Sequence, residues 1–459
     1  MGLTQAMGWS LAHGRFRSTA RRPGAAFTQL LDAGSVARFG IRFVLGLLLF
    51  TAGTGALAQD DEAAALGLAD RTAESAVQPR SWHLFAEGAL EQANMHFGLP
   101  DESLHRATID LQVDKSISAQ WRVVLADRLD MGDVQNLNGT ASISDVNTLK
   151  EAYVSWAAQT DLLFDAGRIN PRLGVATGYN PTDEFRSSAV RSVDSSDPVS
   201  LRENRMGSVM VRGQTLWAGG SLTALFSPKL DNQPNAAGYN IDLGATNHED
   251  RWMLIASEQI TQAVNPQLLV WQEQDNAPQF GLNLTGLIGT AAVAYLECSA
   301  GRSPSLAAEA MLQPRDTAFR SRLATGATYT FENKLSLTAE YEYSGAGMAA
   351  AQWSTLQAGP LATYVQFRVF AFDAQDMVTR RAAFALASWQ DAAIPNLDLR
   401  AWTKLDLIDH SHMIWLEARY HWTRIETALQ LQYDSGTVLS DFGALPQARI
   451  ATALVRYFF

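Results

Sequence analysis

The sequence predicts an all-β fold: a transmembrane antiparallel up-and-down barrel of about eighteen strands, with sixteen as the alternative count. Three observations predict it. From Trp82 onward the chain is a succession of segments, roughly ten residues each, with apolar residues at every second position and charge on the other face. The connections between them alternate between tight turns and long polar loops. The final segment puts Tyr457, Val455, Ala453 and Ala451 on one face, Arg456 and Thr452 on the other, and ends on Phe459.

Composition agrees. The 459 residues carry 12 Trp, 11 Tyr and 20 Phe. Mean hydropathy is only −0.08, as expected where lipid-facing and water-facing residues alternate and cancel. The net charge is −11 from 36 basic and 47 acidic residues. Residues 1–58 hold six of the Arg and one of the Asp, so the remainder has 30 basic and 46 acidic groups, a net of −16. That acidity argues against a nucleic-acid partner. The single cysteine, Cys298, excludes an intramolecular disulfide. No cofactor and no metal site is expected, since the chain lacks Cys pairs and has only 8 His.

In chain order, residues 1–58 read as a signal peptide with a long n-region. Arg38 and Arg42 precede the apolar run Phe43–Phe50, and Ala56-Leu-Ala58 provides small residues at cleavage spacing. The run is short for an anchor helix, which needs about 20 apolar residues. Residues 59–81, Ala-rich and acidic without alternation, read as a flexible periplasmic lead-in, and 82–459 as one barrel. Strands are expected to begin near Trp82, Ala107, Trp121, Thr148, Leu162, Gly207, Ser221, Trp252, Gln267, Phe280, Thr290, Ala318, Leu335, Met377, Leu397, Met413, Arg424 and Arg449. The pattern is plain in the segment where Leu335, Leu337, Ala339, Tyr341 and Tyr343 oppose Lys334, Ser336, Thr338, Glu340 and Glu342. A face that charged must meet water, which leaves the apolar face for lipid and disfavours a soluble β-sandwich. Trp82, Trp121, Trp217, Trp252, Trp402 and Trp415 are expected at strand ends, as interfacial girdle residues.

The terminal strand, with Val455, Tyr457 and Phe459, resembles the C-terminal signal by which assembly machinery recognises bacterial outer-membrane barrels. The segment Asp165-Ala-Gly-Arg-Ile-Asn-Pro-Arg-Leu-Gly-Val-Ala-Thr-Gly-Tyr-Asn-Pro-Thr-Asp183 resembles a strand-and-loop region of porin-like and polysaccharide-export barrels. With the strand count, the layout is similar to alginate exporters and substrate-specific carboxylate porins of Gram-negative bacteria. That resemblance implies an outer-membrane location among lipopolysaccharide and phospholipid. It also implies passive passage of small anionic solutes or acidic polysaccharide through an arginine-rich lumen.

Residues 170–206 form the longest interruption of the first half, and the strand order makes them the third extracellular loop. That position resembles the constriction loop of general porins, which folds inward. Arg172, Arg186, Arg191, Arg202 and Arg205 concentrate there, against Asp183, Glu184, Asp194, Asp197 and Glu203. Guanidinium groups lining a constriction favour anions. The competing reading is that these arginines pair with the loop's own acids and brace it. Strand parity points Ser208, Arg212 and Gln214 inward, because Val209, Val211 and Trp217 form the apolar face; Asp165 is the inward residue opposite. Gly167, Gly174 and Gly178 would permit tight backbone in a folded-in loop. A second long loop, 344–376, contains the alternating stretch Leu361–Phe372, read as an extra strand pair or a lumen plug, with Arg368, Arg380 and Arg381 joining the basic lining. No catalytic residue is expected. Asp409-His410-Ser411-His412 is the only local acid–base concentration and lacks a nucleophile motif. The alternative to a channel is a plugged barrel serving as adhesin or secretion partner.

Overall fold

The computed structural model describes residues 81–459, apart from 136–140, 194, 236, 262, 275 and 314–315. Residues 1–58, expected as a signal peptide, and all but the last residue of the expected lead-in lie outside the described residues. Eighteen strands form one closed antiparallel sheet. They are β1 (Trp82–Met95), β2 (Glu102–Ser116), β3 (Trp121–Gln135), β4 (Ala141–Gln159), β5 (Leu162–Ile169), β6 (Ser208–Trp217), β7 (Gly220–Ser227), β8 (Arg251–Glu258) and β9 (Val264–Glu273) in the first half. The second half holds β10 (Gln279–Ile288), β11 (Ala292–Ser303), β12 (Ala318–Thr330), β13 (Leu335–Ser344), β14 (Arg381–Trp389), β15 (Leu397–Asp406), β16 (His412–His421), β17 (Ile425–Ser435) and β18 (Gln447–Phe458).

Each strand pairs with its sequence neighbours, and β1 closes on β18 through a register running from Phe85↔Phe458 to Met95↔Gln447. Closure leaves no sheet edge, the condition for placing strands in hydrocarbon. The faces are inverted relative to a water-soluble protein. Phe280 is 60 % exposed and Val211 53 % exposed on the outside, whereas the inward Glu297 and Glu342 are fully buried. An outer face lined by so many large exposed apolar side chains suits lipid, because soluble monomers rarely expose large contiguous apolar patches.

The expected starts coincide with the strands to within a few residues, with three informative differences. β2 begins at Glu102 rather than Ala107, and β4 at Ala141 rather than Thr148. The hydrogen-bonded ladder continues past the point where lipid demands an apolar face, so alternation stops before the strand does. β14 begins later, at Arg381 rather than Met377. Connections at one end are short (117–120, 160–161, 218–219), while the other end carries the long loops 170–207, 228–250 and 345–380.

Among the described residues, four helices sit in those loops, α1 (Pro198–Asn204), α2 (Leu243–Thr246), α4 (Ala350–Gln357) and α5 (Leu361–Asp373), and α3 (Leu306–Ala310) sits in the connection between β11 and β12. Of the two expectations for 361–372, a strand pair or a lumen plug, the strand pair is overturned: the segment is α5. Tyr364, Val365, Phe367 and Ala371 are its buried residues, clustered on one helical face, and an apolar-rich stretch satisfies periods of two and 3.6 alike. With α3 and α4 it forms an apolar cap around Trp353, Leu306 and Ala444 at the loop end.

Two girdle assignments are also corrected. Trp402 and Trp415 face inward, directly paired across β15 and β16, and stack with ring centroids 6.3 Å apart. Phe384 completes the row 5.9 Å from Trp402. Parity decides this: Leu399, Ala401 and Leu405 hold the outer face, so residue 402 points in. Trp82, Trp121 and Trp217 are exposed on the outside near strand ends, and Trp121 stacks on Trp156 at 5.9 Å.

Candidate functional site

The loop 170–207 enters the barrel and attaches to the opposite wall through its own backbone. The Glu297 carboxylate on β11 accepts the N–H groups of Val175 (2.8 Å), Ala176 (3.1 Å) and Thr182 (2.8 Å). It also receives the Asn180 amide at 3.2 Å. Two strands on, Glu340 accepts from the N–H groups of Thr177 (2.6 Å) and Gly178 (2.9 Å) and from the Tyr295 hydroxyl (2.6 Å). Lys404 on β15 donates to the Gly178 carbonyl at 3.2 Å and pairs with Glu342 at 2.7 Å. Carboxylates answering runs of N–H groups are strong, charge-assisted anchors, and they satisfy backbone donors that lumen burial would otherwise orphan.

This contact explains the glycines of the segment. Gly174 has φ +101°, and a Cβ there would lie 2.5 Å from a Glu297 oxygen; at Gly178 it would lie 2.5 Å from a Glu342 oxygen. Any larger residue would push the loop off its acceptors.

The structure separates the arginines expected at the constriction. Arg205 is buried and forms a two-pronged pair with Asp183, at 2.8 and 3.0 Å, while donating to Asn170 at 2.8 Å. Arg186 is buried as well. It donates to the carbonyls of Asn180 (2.7 Å) and Gln375 (2.9 Å) and lies 3.5 Å from Asp376. Arg191 binds the backbone carbonyls of Asn240 and Ala237 in the loop 228–250. Arg202 donates to the Leu173 carbonyl at 2.9 Å and stands 3.8 Å from Asp183. Arg172 is exposed, with no ion pair among the described residues. On the strands, Arg212 and Asp165 are register partners joined at 2.6 Å. Arg168, near the end of β5, is buried and reaches the Leu149 carbonyl at 3.4 Å. Of the second-loop arginines, Arg368 pairs with Asp441 and Arg380 donates to the Gly347 carbonyl at 3.1 Å; Arg381 opens β14.

Between its apolar clusters, the inner wall carries several shared ion pairs. Arg128 and Lys150 share Asp110, Arg106 and Arg456 share Glu87, and Arg419 bridges Glu417 and Glu426. At the loop end, Asp376 accepts the Tyr179 hydroxyl at 2.6 Å beside Arg186 and Arg322. Burial opposes ionisation there, but the two guanidinium groups hold the Asp376 carboxyl below its usual range. Burial and the adjoining Asp376 push the Tyr179 hydroxyl well up.

Sequence reasoning missed Glu297, Arg322, Asp376 and Asn283, whose side-chain oxygen accepts the Thr182 hydroxyl at 2.9 Å. Glu340 and Glu342 were placed on the inward face but with no task. Inward acids lacking a basic register neighbour were the available signal: Glu297 faces Asn283 and Ala324 across its two ladders. Asp409 is a structural acceptor, taking hydrogen bonds from Ser411 Oγ (2.6 Å) and Trp353 Nε1 (2.9 Å).

Among solved structures, the chain resembles outer-membrane porins of the Occ/Opd group. One is OccK7 (OpdD) of Pseudomonas aeruginosa, at 12 % identity over 82 % of this chain and 98 % of that one, TM-score 0.52. Another is OccAB1 of Acinetobacter baumannii, at 8 % identity over 82 % and 96 %, TM-score 0.53. At such identities the likeness establishes the fold, a closed 18-stranded barrel, and lends no support to the alginate-exporter half of the resemblance. No protein-family model and no curated protein sequence matches the chain.

Proposed function

We propose that this protein is a bacterial outer-membrane channel through which small hydrophilic solutes pass by diffusion, with a preference for anions. The observation that carries the reading is the inward course of residues 170–207, fastened by their N–H groups to Glu297 and Glu340 across the lumen. A loop pinned across a wide barrel narrows it without sealing it by a folded domain. In this reading the short connections face the periplasm and the long loops face outward.

Anion preference rests on fewer arginines than the loop contains. Arg186, Arg191 and Arg205 are engaged in holding the loop: Arg205 on the loop's own Asp183, Arg186 and Arg191 on backbone carbonyls and, for Arg186, on Asp376. Arg172 and Arg202 on the loop and Arg212 on β6 keep part of their surface open. The wall cations Arg400, Lys404 and Arg456 are also partly open, each beside a carboxylate. A lining of paired charges with a few open guanidinium groups favours carboxylate-bearing solutes small enough to pass the loop, over polymer.

The test is single-channel recording of refolded protein in a planar bilayer, with reversal potential measured across a salt gradient. Discrete steps with an anion-biased reversal support the proposal. Absence of steps from folded, inserted protein would refute it and favour a plugged barrel with an adhesion or secretion role.

A further inference from the structure

The apolar cap at the loop end grips the infolded loop at one reciprocal junction. The Arg186 Nε donates to the Gln375 carbonyl and the Gln375 amide donates back to the Arg186 carbonyl, both at 2.9 Å. Ser188 donates twice to Asp373, from its N–H to the carbonyl (2.8 Å) and from its hydroxyl to the carboxylate (2.7 Å). Ser188 and Gln375 both adopt left-handed backbone, φ 55° and 49°. Two such residues facing one another are held there by their surroundings, since each costs of order 1 kcal/mol or more outside glycine. Beneath them Asp376 joins Arg186, Arg322 and Tyr179, while Arg322 also pairs with Glu184 at 3.0 Å. Two acids and two guanidinium groups thus form a neutral buried quartet contributed by the infolded loop, β12 and the segment after α5.

That segment is not free to follow the loop. α5 is fixed by its packing with Trp353 and Leu306, by Arg368 on Asp441, and by the Gln366 amide on the Ala310 carbonyl at 2.6 Å.

We propose that the extracellular cap sets the bore of the channel, with Gln375 and Asp376 as positioning residues that hold residues 183–189 across the lumen. The proposal rests on the channel reading for its effect on current, and on the junction alone for its effect on the loop.

The experiment therefore reads both. In a Cys298→Ser background, Ala176→Cys places a thiol at the loop's anchored turn, where Ala176 is 3 % exposed. Labelling by a charged thiol reagent is compared in folded, membrane-inserted protein with and without Gln375→Ala plus Asp376→Ala. Folding is verified by heat-modifiable electrophoretic mobility. At least a ten-fold faster labelling and a larger, noisier single-channel conductance are expected. Asp376→Glu, which keeps the charge, should restore most of both. Faster labelling with no current in any variant would uphold the junction and refute the channel. A folded double variant that labels at the unmodified rate would overturn the proposal, whatever its conductance.

Discussion

Replacing Glu297 by Ala should release the infolded loop while leaving the barrel intact. The carboxylate is fully buried and accepts three backbone N–H groups, at 2.8, 3.1 and 2.8 Å. A buried donor left without a partner costs about 1–3 kcal/mol, so three give roughly 3–9 kcal/mol before water is considered. Water reaches part of a lumen and can replace some of these bonds, so about 3 kcal/mol is the working figure. That raises the population of the released loop more than about 100-fold. The ladders of β11 with β10 and β12 use backbone groups only, so the barrel itself should stay folded. Limited trypsin digestion of inserted protein is the assay, since Arg172, Arg186 and Arg191 offer cleavage sites in the loop. Fast cutting within 170–207 with an otherwise resistant barrel is expected. Glu297→Gln should fall between, because one oxygen still accepts while the other position now presents N–H to donors. A Glu297→Ala protein whose loop resists trypsin like the parent would refute the anchoring argument.

Further outcomes follow from the same geometry. Arg205→Ala strands Asp183, which has no exposed surface, and breaking a buried pair from one side costs about 3–5 kcal/mol; trypsin sensitivity of the loop should rise at least as far as in Glu297→Ala. Gly174→Ala should expose the same turn, because its Cβ would lie 2.5 Å from Glu297 at φ +101°; an unchanged loop would contradict the close-approach reading. Arg212→Glu places a second acid against Asp165 and should shift the reversal potential away from anion preference; unchanged selectivity would count against a lining role for that arginine. The Asp376 carboxyl is held below its usual range, and it faces Arg186, Arg322, Tyr179 and, through Arg322, Glu184. Its contribution is therefore present above the ordinary carboxylate value and lost as pH falls through the lowered one. Read at the junction itself, residues 183–189, cutting by an acid-active protease should stay slow through mild acid and quicken only below the ordinary carboxylate range, about pH 4.

Much of the molecule was legible in the order of its residues. Period-two alternation with charge opposite located the strands, because in a barrel each strand carries its own record of which face meets lipid. Where alternation coexists with another periodicity, or stops before the ladder does, the record misleads. That is why Leu361–Phe372 reads as strand and folds as α5, and why β2 and β4 run further than their apolar faces. Parity set Asp165 and Arg212 on one face, where they are register partners, and applied to β15 it would have moved Trp402 from the girdle to the interior.

The site was legible only as a place. Loop length and guanidinium content marked residues 170–206, but which arginines face water depends on partners far away in the chain. Arg186 meets residues 375 and 376, and the glycine-bearing turn meets Glu297, Glu340 and Lys404. The sequence by itself determined the class of fold, the strand order and the sidedness of most strand residues, since these follow from local alternation and nearest-neighbour pairing. Only the tertiary structure decided which charges are spent on one another and which stay open to the lumen. Closing the barrel brings strands more than a hundred residues apart face to face, and no local pattern encodes what a loop finds on the opposite wall.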